Sequence, residues 1–283
     1  MARRATLATM IHLSHPQPAI ALVELDTAPA NVLAMAERAR LLEAFAAVEA
    51  AKAVRVVILT GRNGAFCTGD DLAESMSRDV ETQSAAILHF LDMCDRVAAC
   101  RVPIIAAIDG WCIGGGLELA LAADIRLASD RASFACSAVR MGLTASAGRL
   151  TKLIGESRAK PHLLTGAPFD AARALADGTV AEVHAAESLP DAALAMARVI
   201  ASRAPLAIEA AKRVASGVST TEAENPRPGR HRRPRRSAGG VHGQAARRVR
   251  GALRTAPKAW ASACRASRSS ADRRRTSRCW WWT

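Results

Sequence analysis

The sequence predicts an α/β domain with a mostly parallel, right-handed core. Three observations lead to that class. Continuous apolar runs rich in β-branched residues recur at positions 19–25, 54–61 and 102–110, the pattern of strands buried on both faces of a parallel sheet. Stretches with apolar residues at three- and four-residue spacing lie between them. The second and third runs close on glycine turns, at Gly61 and Gly110.

In chain order, AIALVEL at 19–25 reads as a strand, and the following DTAPAN is turn chemistry. From Met35 to Lys52 the positions Ala39, Leu42, Phe45, Ala46 and Val48 recur with helical period among strong helix formers. VRVVILTG at 54–61 completes a β-α-β unit. The pattern then repeats with a loop NGAFCTGDDLAE, a helix over about 82–99, the strand VPIIAAIDG at 102–110, and CIGGG leading into LELALAAD. A further strand, DIRLAS, begins at Asp124. Beyond Ser146 the chain is predominantly helical through Ser216, with one short strand expected at 179–184.

A chain of 283 residues, half of them hydrophobic, can bury a substantial core, which excludes disorder over its whole length. The net charge of +13 is local. From Pro226 onward there are sixteen Arg and one Lys against the single Asp272, which leaves 22 basic and 25 acidic residues upstream. The reading is therefore one domain over residues 1–222 followed by an Arg-rich tail over 223–283. That tail has neither helical nor strand periodicity. Three origins are open for it: a disordered basic extension, a nucleic-acid-binding arm, or translation in a shifted reading frame. Trp260 and Trp280 to Trp282 show no ordered alternation with basic residues, which weighs against nucleic acid as a partner.

Seven scattered cysteines without a CxxC pair read as free thiols in a reducing compartment. Arg3 and Arg4 are not followed by an apolar run long enough for a signal peptide, and no stretch reaches the length of a membrane span. The expectation is a cytoplasmic protein with no membrane partner. Spacing gives no metal cluster and no nucleophilic triad.

Two segments carry chemistry. In WCIGGGLE, from Trp111 to Glu118, three glycines between a strand and a helix allow close backbone approach, and a helix N-terminus directs free amides at developing negative charge. Tight helix–strand packing would use the same glycines. Glu118 stands among leucines and alanines, where a carboxylate is costly to bury unless it has work to do. An exposed helical glutamate is the alternative. The second segment, Gly64 to Leu72, sits at the carboxyl end of a predicted strand, where α/β sheets place their ligands.

Taken together, VRVVILTGRNGAFCTGDDL and VPIIAAIDGWCIGGGLELALAADIRLA resemble the enoyl-CoA hydratase/isomerase, or crotonase, superfamily. The resemblance runs from about Ile20 to Ala215. It implies a crotonase-like spiral of β-β-α units with a C-terminal helical trimerisation region, assembled as a homotrimer or hexamer. It implies an acyl-CoA thioester as substrate, with no metal and no cofactor beyond the CoA that the substrate carries. Two backbone amides, falling here on Asp70 and Gly115, would hold the thioester oxygen, and Glu118 would be the acid/base. Backbone of Ala65, Phe66, Thr68, Asp70, Asp71, Leu72, Gly114 and Gly115 would contact the substrate.

The sequence departs from the family pattern at two of these points. Asp70 replaces a small residue, so its side chain must turn away from the oxyanion or weaken it. Ala138 stands where hydratases of the family carry a second glutamate, while Ser137 and Cys136 beside it could hydrogen-bond a water but read better as packing residues. Hydration of a 2-trans-enoyl-CoA to a 3-hydroxyacyl-CoA is the expected reaction. The alternatives are a double-bond isomerase using one glutamate, an inactive paralogue, and a non-catalytic binding protein. Arg38 and Arg62 are weak candidates for the pocket mouth and read as ordinary solvated side chains.

Overall fold

A computed structural model describes residues 10–28 and 30–217. Within them the chain winds through successive turns, the first contributing two strands to a large sheet and each later one a strand to it and a strand to a small sheet. The opening turn is β1 (Met10–Gln17), β2 (Ile20–Asp26) and α1 (Met35–Ala50). The second is β3 (Val56–Gly61), β4 (Ala65–Cys67), α2 (Leu72–Ser77) and α3 (Val80–Ala98). The third is β5 (Ile104–Ile108), β6 (Trp111–Ile113) and α4 (Gly115–Ala122). The fourth is β7 (Ile125–Ser129), β8 (Ser133–Ala135), a 3-10 turn at Ser137–Met141, α5 (Ala147–Ile154) and α6 (Glu156–Thr165). The chain then runs through β9 (Phe169–Asp170), α7 (Ala171–Asp177), β10 (Glu182–His184), α8 (Leu189–Ala201) and α9 (Pro205–Ala215).

The large sheet has the order β1-β2-β3-β5-β7-β10, antiparallel only between β1 and β2. The small sheet has the order β4-β6-β8-β9, with β4, β6 and β8 parallel and β9 antiparallel. This is the spiral of β-β-α units that the sequence resemblance implies.

Burial explains the apolar runs. Every residue of β5 is buried, and Val56 to Leu59 are buried in β3. Alternate side chains serve two cores. Val57, Leu59, Ile104, Ala106 and Ile108 face the main core between the sheets and α1, α3 and α4. Val56, Ile58, Ile105 and Ala107 face a second cluster closed by Leu189, Ala193 and Ala197 of α8. Helix α9 is tied to the sheet by polar pairs instead. Lys212 bonds the Val102 carbonyl at 2.9 Å and pairs with Asp124 at 2.8 Å, and Glu209 pairs with Arg101 at 2.9 Å.

The strands and helices expected at 19–25, 35–52, 54–61, about 82–99, 102–110 and 179–184 are present with ends shifted by a few residues. The small sheet and β1 went unread. Its β4, β6 and β8 are three residues each, too short to show alternation, and they form because consecutive turns of the spiral bring their backbones into register. The expected tail over 223–283 lies outside the described residues.

Candidate active site

The carboxyl ends of β4 and β6 meet where the two chemical segments were found. Gly69 adopts φ +92, and a Cβ added there would come within 2.7 Å of the Gly115 nitrogen, so the backbones of Gly69 and Gly115 are in direct contact. The loop is fastened on both sides. Leu33 N donates to the Gly69 carbonyl at 2.7 Å, Thr68 Oγ1 donates to the Ala30 carbonyl at 3.0 Å, and the Asp71 carboxylate caps α2 by accepting from Ala73 N and Glu74 N at 2.7 and 3.1 Å. Helix α4 begins at Gly115, and a helix's first amides have no partner within it. The residues Asp70 and Gly115 are therefore neighbours on adjoining backbones. A Cβ at Gly116 would lie 1.9 Å from the Cys67 carbonyl oxygen, which explains why only glycine fits under β4.

The Asp70 side chain is engaged by two guanidinium groups, Arg38 Nη2 at one oxygen and Arg78 Nη1 at the other, the latter at 3.0 Å. Arg38 is fully buried, so the expectation of a solvated surface arginine was wrong. Its remaining N–H groups are used as well, Nε donating to the Leu33 carbonyl and Nη1 to the Ala86 carbonyl, each at 2.8 Å. Its guanidinium lies 4.8 Å from the centroid of Phe90, whose ring edge packs on Gly115. Burial became affordable because this arginine is paired and all its contacts are satisfied. Arg62, by contrast, is half-exposed and pairs with Glu24 at 2.8 Å.

Ala65 and Phe66 are buried side chains, so only their main chain can meet a ligand, whereas Leu72 is partly exposed at the start of α2. Gly114 turns the chain with φ +54 between β6 and α4.

Glu118, on the first turns of α4, is only 5% exposed. Its Oε2 accepts from Ser146 N and its Oε1 from Arg149 Nε at 2.7 Å. Arg149 also reaches Asp95 on α3 through Nη2. Ser146 takes φ +64, a conformation unusual for a residue with a Cβ, and its buried hydroxyl lacks a protein partner. Ala138 is buried in the 3-10 turn, and Ser137 beside it is buried near Gly114. Arg149, Ser146 and Asp95 were not found from sequence. A lone arginine on the amphipathic α5 was the one available sign.

Chemically, α4 carries both a helix start, whose first amides have no partner within the helix, and a buried carboxylate held by two donors. A cavity of about 370 Å³ lined by Gly64, Gly110, Trp111, Arg131 and Ser133 lies at the opposite ends of the small-sheet strands and includes none of these groups. Among the described residues, no His, Cys, Asp or Glu cluster could hold a metal ion, and no helix is long and apolar enough to cross a membrane.

Comparison with known proteins agrees with this architecture. The family model "Enoyl-CoA hydratase/isomerase" matches residues 15–228. The chain belongs to the enoyl-CoA hydratase/isomerase family. It is 35% identical over 222 residues to a probable enoyl-CoA hydratase of Rhizobium meliloti, covering 77% of this chain and 81% of that protein. It is 39% identical over 162 residues to the probable enoyl-CoA hydratase EchA17 of Mycobacterium tuberculosis, covering 56% of this chain and 62% of that one, so the match spans less than two thirds of that relative. Among solved structures, an enoyl-CoA hydratase from Bacillus anthracis superposes with a TM-score of 0.72 at 28% identity, covering 91% of this chain and 96% of that one.

Proposed function

We propose that the domain catalyses reversible hydration of a 2-trans-enoyl-CoA to a 3-hydroxyacyl-CoA. The observation that carries this reading is a buried Glu118, oriented by two donors, on the helix whose first residue is Gly115. The amides of Asp70 and Gly115 hold the thioester oxygen. Glu118 takes a proton from water as the water oxygen attacks C3, and the C2–C3 electron pair moves onto the thioester oxygen as an enolate. The enolate collapses as C2 receives a proton, which Glu118 can return. One carboxylate thus balances the addition without a cofactor. The Ser146 hydroxyl, buried and without a protein partner, is suited to hold the water.

Loss of conjugated-enoyl absorbance with crotonyl-CoA is the test. Glu118→Gln should lower kcat by about 10²–10⁴-fold, the usual contribution of a positioned acid/base. Wild-type rates in Glu118→Gln would remove Glu118 from the mechanism.

Ala138, where family hydratases carry a second glutamate, favours a second reading: a double-bond isomerase in which Glu118 moves a proton between C2 and C4. A 3-enoyl-CoA converted to the 2-enoyl form faster than the latter is hydrated would establish it. The remaining parts of the reading are a catalytic domain ending near residue 222 and a homotrimer or hexamer working in the cytoplasm. Helix α9 supports assembly, since none of its residues is buried and Leu206 is 79% exposed. Sedimentation of the full chain reports the assembly directly.

A further inference from the structure

The Glu118 carboxylate does not stand alone. It is one end of a chain of three charged side chains from three helices: Glu118 on α4, Arg149 on α5 and Asp95 on α3. Arg149 spans the two acids with different nitrogens, Nε toward Glu118 and Nη2 toward Asp95. A guanidinium is planar, so fixing two of its nitrogens fixes the direction of the N–H that Glu118 receives. The other Glu118 oxygen accepts from the Ser146 amide, which the left-handed backbone of that residue presents. Both carboxylate oxygens are therefore held from the side of α5 and the turn before it.

Several features separate this from an ordinary surface ion pair. The side chain of Glu118 is 7% exposed and that of Arg149 23%, whereas that of Asp95, the outermost member, is 45% exposed. The order runs from solvent inward and ends on the acid/base. The cluster carries two negative charges and one positive, so Arg149 has no charge to spare for an anionic substrate group. Two of its nitrogens face carboxylates, so its effect is assigned through Glu118. Ala138 supplies no carboxylate to help hold a water or share the proton, so the rate depends on the aim of the one glutamate.

We propose that Arg149, itself held by Asp95, is the positioning residue that aims Glu118 at the reacting carbons. The inference rests on the reading of Glu118 as the acid/base. A misplacement near 1 Å can cost on the order of 10² in rate, so Arg149→Ala should lower kcat by about that factor while KM for crotonyl-CoA stays within about twofold. Arg149→Lys keeps the charge but cannot reach both acids in one plane, and should recover little of the loss. Guanidinium chloride at low millimolar concentration should restore part of kcat to Arg149→Ala and none to Arg149→Lys, whose ammonium fills the place. Asp95→Asn should give a smaller loss, about three- to tenfold, since it loosens Arg149 without removing it.

The experiment measures kcat and KM for the full-length chain and these variants, with melting curves to establish folding and Glu118→Gln alongside. A kcat within about twofold of wild type in both Arg149 variants, while Glu118→Gln is inactive, overturns this inference and leaves the acid/base assignment standing. A fall in kcat that guanidinium does not reverse, in a variant with an unchanged melting curve, also overturns it. Full activity in Glu118→Gln would defeat the parent reading instead.

Discussion

The two sides of the site are held by different means. On the side proposed to hold the oxyanion, backbone lies against backbone: Gly69 on Gly115, and Gly116 under the Cys67 carbonyl. On the side proposed to supply the acid/base, side chains from three helices, Glu118, Arg149 and Asp95, meet at their tips, with one main-chain amide, Ser146 N, beside them. Main-chain contact leaves no room for substitution, because a carbonyl cannot rotate out of the way of a new Cβ. A side chain at such a tip can be shortened without a clash, so the largest effect of Arg149→Ala should show in turnover.

That contrast can be broken in several ways, beginning with the largest expected effect. Gly116→Ala would put a methyl 1.9 Å from the Cys67 oxygen. Overpacking against backbone should cost about 3 kcal/mol or more and lower Tm by roughly 10 °C in calorimetry. A wild-type Tm would mean that the oxyanion side yields, and the contrast would fail.

Asp70→Ala tests whether the oxyanion side also depends on charge. It strands the fully buried Arg38. Breaking a buried pair costs about 3–5 kcal/mol; because Asp70 is 23% exposed, about 2–3 kcal/mol is expected in urea denaturation. Asp70→Asn, which can still accept from an arginine, should recover part of this. Equal stability in all three proteins would make the arginine pair irrelevant to the loop.

Acid provides a reference outside both sides. Hydrogen bonding and charge from Arg131 hold the Asp109 carboxyl below its usual range. For Asp177, burial pushes the carboxyl up, but donation from His162 and Arg173 outweighs it and the net shift is downward. A carboxyl lowered in the folded state contributes stability above its unfolded value, near 4, that is lost as pH falls through the lowered one. The urea midpoint should therefore decline below about pH 4, and Asp177→Asn should flatten that decline. The smallest effect is expected at Lys160, whose pair with Glu156 at 2.6 Å is mostly exposed. Lys160→Ala should change stability by less than about 0.5 kcal/mol in the same titration.

The difference between the two sides also decided what could be read from the sequence. The large sheet was legible because β3 and β5 are buried on both faces and so spell out continuous apolar runs. The backbone contact between the two loops was legible because its signal is local: consecutive glycines at Gly114 to Gly116 and a loop of a few residues. Glu118 stood out by the apolar company it keeps. Its holders did not, since Ser146 lies 28 positions away and Arg149 31, and neither has a local pattern. Arg38 was misread for the same reason. Helical periodicity gives a face, but the residues that bury that face, Asp70 and Phe90, come from the next turn of the spiral. The partners of the Asp70 side chain, Arg38 and Arg78, are likewise not revealed by sequence spacing.

The cysteines have a practical consequence. All five in the described residues are buried, and burial pushes the thiols of Cys67, Cys100 and Cys136 up to about 12 and those of Cys94 and Cys112 well above their ordinary value. Thiolate is the form that alkylating reagents attack, and a thiol with a pKa near 12 offers only about one part in 10⁵ of it at neutral pH. Each of the five is then silent toward maleimide or iodoacetamide until its own part of the spiral opens. Mass spectrometry of timed alkylation can thus read the opening of successive turns, from Cys67 in the second to Cys136 in the fourth, with no added cysteine.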